Sequence, residues 1–168
     1  DFSKVTFRQI GENQVRAEHA TTHGRPETLK VSVGYKDCFI GEGEISYGGS
    51  NCMARAELAA EILEKRIELT GIELEEYRTD FIGCNSLYRD AISKEIGSGT
   101  PCEVRLHAAG RTKDRKNAVL LANEVEALYT NGPAGGGGAV KRVSEIVSVC
   151  SIFVPRDAVE AKVTFREV

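Results

Sequence analysis

Residues 41–49, GEGEISYGG, alternate along an extended chain. Period two puts Glu42, Glu44 and Ser46 on one face and Gly41, Gly43, Ile45 and Tyr47 on the other. Same-face neighbours on a strand lie roughly 6.5–7 Å apart. Carboxylates at that spacing can share general acid–base work, receive cations from a partner, or stand as ordinary exposed glutamates. Two glycines in one strand also point to a bulge or to close approach by another element. Residues 102–110, CEVRLHAAG, alternate as well, setting Arg105 and His107 opposite Val104, Leu106 and Ala108. With Arg111 they form a cationic surface above a sheet, either a site or a solvated face. No Ser–His–Asp or Cys–His arrangement follows from the spacing, so the catalytic candidates are Glu42, Glu44 and His107.

Two further stretches bear on anions. In RTKDRKN, residues 111–117, Arg111, Lys113, Arg115 and Lys116 crowd the start of an expected helix. The macrodipole favours negative charge there, so a bound phosphate or carboxylate would relieve them, as would turning to solvent. In NGPAGGGG, residues 131–138, Asn131, Gly132 and Pro133 already stop that helix. Gly135, Gly136, Gly137 and Gly138 exceed that need, and each costs ~0.5–1 kcal/mol relative to Ala in regular structure. They serve either mobility or close approach of a ligand or backbone. A P-loop is excluded, since no Gly-Lys-Ser/Thr is present and a strand follows. We expect this run and the helix start to share one anion-binding surface, with Arg105, Arg111 and Lys141 as cations. A helix of about 17 residues is roughly 25 Å long. Only a long, CoA-like ligand or a second subunit's loop would then join its two ends.

The elements that must position these residues follow from pattern. SKVTFRQI and QVRAEHAT read as a hairpin about Gly11–Asn13. TLKVSVGY and CFIGEGEISY read as a second strand pair turning at Lys36 and Asp37. A helix over 51–70, capped by Ser50 or Asn51 and stopped by Gly71, carries a stripe of Leu58, Ile62 and Leu69 beside Ala59, Leu63 and Ile67. The strand RTDFIGCN follows. CEVRLHAAG, a helix over 113–129 with Ala118, Leu121, Ala122, Val125, Leu128 and Tyr129 on one face, and the strand AVKRVSEIVSVCSIFV repeat the plan. AKVTFREV closes as a strand, expected beside KVTFRQI. Each helix must bury its stripe on a sheet. The fold expected is α+β: a two-layer sandwich, mainly antiparallel, with both helices on one face in a ferredoxin-like duplication. It is expected as one domain over 1–168, with pseudo-repeat halves at about 28–85 and 101–155.

Composition sets limits. A net charge of −3 gives no general pull toward nucleic acid or an anionic membrane. No apolar run approaches the ~20 residues of a membrane span. The five cysteines are odd in number and lack a C-x-x-C, so reduced, buried thiols in a cytoplasmic protein are expected. His19 and His23 lie in strand and turn, which does not place them on one helical face, and no metal site is expected. The opening DFSKVTFRQI, strand-like and without an initiator Met, reads as part of something longer.

TLKVSVGYKDCFIGEGEISYGG, ARAELAAEIL, TDFIGCNSL, CEVRLHAAGRT and NEVEALYTNGPAGGGGAVKR, in this order over nearly the whole chain, resemble the acyclic terpene utilisation (AtuA) family. Arg105, Arg111 and the glycine run fit its pattern. Cys38 and Cys52 stand where it is more often Gly- or Ala-like, and His107 where Arg is common. The family takes its name from gene clusters that break down branched terpenoid acids through CoA thioesters. The resemblance places the chain at the carboxy-terminal portion of longer family members and assigns no reaction; the leading expectation is the carboxy-terminal domain of a catabolic enzyme acting on a carboxylate or acyl-CoA intermediate, of lyase or hydratase type. Its partners would be a missing amino-terminal domain and further copies of itself. It assigns no cofactor, with a CoA thioester as the candidate substrate. The alternative expectation is a non-catalytic assembly domain with exposed strand edges.

Overall fold

Alternation over residues 28–48 yields one long strand, β3 (Thr28–Gly48), in the computed structural model, which describes residues 1–96, 99 and 101–165. The turn expected at Lys36 and Asp37 does not form, because both side chains are held by neighbouring strands. Lys36 pairs with Glu145 at 2.9 Å, and Asp37 accepts from Ser148 Oγ at 2.7 Å and Arg111 Nη2 at 2.8 Å. Ahead of it, β1 (Thr6–Gly11) and β2 (Gln14–Glu18) make the expected hairpin.

Helix α1 (Cys52–Thr70) ends as expected at Gly71, which adopts φ 65° and donates its N–H to Glu68 O. Asn51 is the N-cap, but its side chain makes no capping bond. Then come β4 (Glu76–Ile82), α2 (Arg89–Ile96), β5 (Glu103–Thr112), α3 (Arg115–Asn131) and β6 (Gly136–Pro155). Helix α2 was not foreseen. The sheet order is β4-β5-β3-β6, with β5 antiparallel to both β3 and β4. Two strand–helix–strand units interleave so that β5 lies between β3 and β4, the split β-α-β arrangement of ferredoxin-like folds.

Both helices cover one sheet face. Ile45, Tyr47, Val104 and Leu106 from the strands meet Ala56, Ala59 and Leu63 of α1 and Val125 and Leu128 of α3. Burying each large apolar side chain contributes ~1.5–3 kcal/mol. The stripe expected on α1 is rotated: Leu58 and Leu69 are 48% and 78% exposed, and the buried face is Cys52, Ala56, Ala59, Ala60 and Leu63. Leu63 is fully buried among these small residues, and Ile62 packs against the same core. Beneath α3 the layers lie close. A Cβ on Gly43 would overlap the Val125 side chain, and one on Gly41 the backbone of Ala118. Close approach, not a bulge, therefore explains the two strand glycines. On α3 the expected face is buried except for Tyr129, which is exposed.

The chain divides into two compact units, residues 1–33 with 149–168, and residues 34–148. The second contains the whole core, while the first has no buried residue among those described. The strand expected for AKVTFREV does not form over 161–165, where the backbone follows no regular pattern; 166–168 lie outside the described residues. The five cysteines are free thiols, and Cys102 and Cys150 are exposed rather than buried. Among the described residues no helix is long and apolar enough to cross a membrane.

Candidate functional site

Away from the helices, the other sheet face collects the side chains that alternation assigned to it. Register sets Glu44 opposite His107 and Ser46 opposite Arg105 between β3 and β5, and Asp80 opposite His107 between β4 and β5. His107 thus stands between two carboxylates: Nδ1 lies 3.9 Å from Asp80 Oδ2 and Nε2 lies 3.6 Å from Glu42 Oε1. Asp80 is only 6% exposed and is held by Arg78 Nε at 2.6 Å. Arg142 donates to Glu42 Oε2 through Nε at 2.9 Å and Nη2 at 2.7 Å. A row of charged side chains with a histidine at its centre, Arg78–Asp80–His107–Glu42–Arg142, therefore crosses all four strands of the sheet. Its central histidine is the side-chain type that exchanges a proton near neutral pH. Both separations from the ring exceed a hydrogen bond, and modest side-chain movement would close either one. Glu42, Gly43, Glu44, Val140, Lys141 and Arg142 line a cavity of about 300 Å³ beside the row.

Arg105 is the second centre. Its Nε donates to Glu44 Oε2, Nη1 to Ser46 Oγ at 2.9 Å and Nη2 to Gly138 O at 3.2 Å. That last bond brings the glycine run to the same face. Gly135 and Gly138 adopt φ 78° and φ 62°, conformations that side chains other than glycine's rarely allow. A Cβ on Gly136 would come within 2.9 Å of Ile45 Cδ1, whereas Gly137 has open space. Gly136 to Gly138 are the first residues of β6. Arg55 of α1, unremarked in the sequence, holds the turn before them. It donates to Ala134 O at 2.8 Å, to Ser50 O at 3.0 Å and to Gly48 O, with its guanidinium 5.9 Å from the Tyr47 ring centroid.

The other expected cations go elsewhere. Lys141 reaches α3, donating to Asn123 Oδ1 at 2.9 Å and pairing with Glu126. Arg111 donates to Cys38 Sγ at 3.2 Å and, like Lys113, to Asp37. The Ser148 hydroxyl, with Lys113 and Arg111 behind it, holds the Asp37 carboxyl below the usual aspartate range. Asp114 caps α3 by accepting from Lys116 N at 2.8 Å. The chain's own acids thus answer Arg111 and Lys113 at the helix start.

The structure brings Glu42 to His107, and Arg105 to Glu44 and Gly138. It sets Arg111 and Lys141 among different partners. Asp80 and Arg55 were missed; the alternation of RTDFI would have placed Asp80 on a face, but only the strand order brings it beside His107. Among the described residues no group of three His, Cys, Asp or Glu side chains is arranged to hold a metal ion. Residues 1–165 match the family described as "Acyclic terpene utilisation family protein AtuA". No curated protein and no solved structure matches the chain.

Proposed function

We propose that this chain, which belongs to the AtuA family of acyclic terpene utilisation, is a catabolic protein that moves protons on a branched carboxylate or its CoA thioester, as a hydratase or lyase does, a reading that rests on this chain's own His107 because the family more often carries Arg there. The observation that carries this reading is His107 between Asp80 and Glu42. Adding water across a double bond conjugated to a carbonyl delivers a proton to one carbon and hydroxide to the next; elimination reverses both. Two proton-handling groups on one side of the substrate perform this work. Buried Asp80, fixed by Arg78, orients the imidazole. His107 Nε2, 3.6 Å from Glu42 Oε1, exchanges the proton, and Glu42 handles the second one at the water. Arg142 and Arg105 present positive charge where a carboxylate or an enolate-like thioester oxygen develops negative charge. The backbone at Gly138, without a side chain in the way, lets the acyl portion lie close to Arg105.

The test is turnover of α,β-unsaturated branched acyl-CoA thioesters, followed by loss of the conjugated thioester absorbance. His107→Ala and His107→Arg should each lower the rate ~10²–10⁴-fold. The arginine variant places a fixed cation between the two carboxylates but cannot exchange a proton. Full turnover by His107→Arg would reduce this side chain to charge balance and defeat the proposal.

A further inference from the structure

In the order β4-β5-β3-β6, β6 is an edge strand, with only β3 beside it among the described residues. An open edge presents unpaired N–H and C=O groups that template another strand. The opposite edge, β4, is blunted by its length of 7 residues. β6 instead runs 20 residues with no proline before its last, against ~5–6 in an ordinary strand. Val140 and Val147 on it are 52% and 63% exposed.

We propose that β6 pairs antiparallel with β6 of a second copy of this chain, about a two-fold axis through Val143, joining the two sheets into one. A two-fold contact must be self-complementary. The residues AVKRVSEIV, 139–147, meet that demand in this register. Lys141 falls opposite Glu145 of the partner subunit, and by symmetry the pair occurs twice. Val140 falls opposite Ile146 of the partner subunit, and Ala139 opposite Val147 of the partner subunit. Moving the axis by one residue sets Lys141 opposite a valine and loses both charge pairs. An unrelated partner would need no such symmetry, which is why a second copy is the occupant. The contact adjoins the cavity lined by Val140, Lys141 and Arg142, so each site borders the other subunit.

Sedimentation equilibrium of the 168-residue chain should show a dimer. Lys141→Glu and Glu145→Lys should each weaken it about tenfold, by setting like charges opposite one another twice. Combining them should restore it. Within one copy the double variant faces Glu126 with Glu and Lys36 with Lys, so restored dimerisation arises only across the axis. Directly opposed Cα atoms in an antiparallel pair lie about 4.5–5.5 Å apart, within disulfide reach. Val143→Cys, with the exposed Cys102 and Cys150 changed to Ser, should therefore cross-link on oxidation. A chain that stays monomeric, a dimer indifferent to the two single charge changes, or failure of Val143→Cys to cross-link would each overturn the proposal.

Discussion

Asp80 lies on the open sheet face yet is nearly buried, because Arg78 holds it and His107 stands across the strand boundary. On the proposed mechanism, Asp80→Asn removes the charge that positions the imidazole, 3.9 Å from it. Its expected effect is a fall in kcat with KM little changed, measured on the same thioesters. A positioning role would also shift the pH profile of kcat, which a purely structural role would not. Tyr77 makes a contrasting case. Its phenol is buried without a partner among the described residues, and that burial raises its pKa. Tyr77→Phe should leave thermal stability unchanged or raise it, since an unsatisfied buried polar group costs ~1–3 kcal/mol. A clear drop in Tm would reveal a hydrogen bond to water. Glu42, Glu44, Arg105 and His107 were legible in the sequence because period two alone fixes a strand's faces. Asp80 and Arg55 were not, since their roles arise from elements distant in the chain.

Helix α1 shows where reading by size fails. Pattern centres the stripe on Leu58, Ile62 and Leu69, with Ala59, Leu63 and Ile67 beside it. The sheet takes the neighbouring face, the alanines together with Leu63, and leaves Leu58 and Leu69 exposed. Leu63→Ala should therefore cost ~2–5 kcal/mol, while Leu58→Ala should stay within about 0.5 kcal/mol, by chemical denaturation. The start of β6 gives a second test. Gly136 lies against Ile45 and Tyr47, so Gly136→Val should destabilise by ~1–3 kcal/mol, whereas Gly137→Ala meets open space and should be mild. Equal effects would mean that the run acts as an unanchored connector. The sequence marked those glycines as unusual, but the reason lies in Arg55 and Arg105, which reach them from α1 and β5.

Across the molecule, the duplicated strand–helix–strand plan and the shared helix face were legible, because two amphipathic helices leave few ways to cover a sheet. The continuity of β3 was not, since Lys36 and Asp37 look like a turn until β5 and β6 supply partners. Asp37 joins those three strands, and its folded-state pKa is depressed. Its contribution is therefore complete above the ordinary aspartate value of about 4 and is lost as pH falls through the lower folded value. Asp37→Asn should flatten this acid limb of the stability curve, leaving a smaller difference from the parent at low pH than at neutral pH. The bare backbone beneath α3, at Gly41 and Gly43, has a mechanical consequence. Hydrostatic pressure unfolds proteins by abolishing internal voids, with volume decreases of about 20–100 mL/mol. A helix seated on glycine leaves little void to abolish. Unfolding should therefore show a volume change near the small end of that range, measured by high-pressure fluorescence.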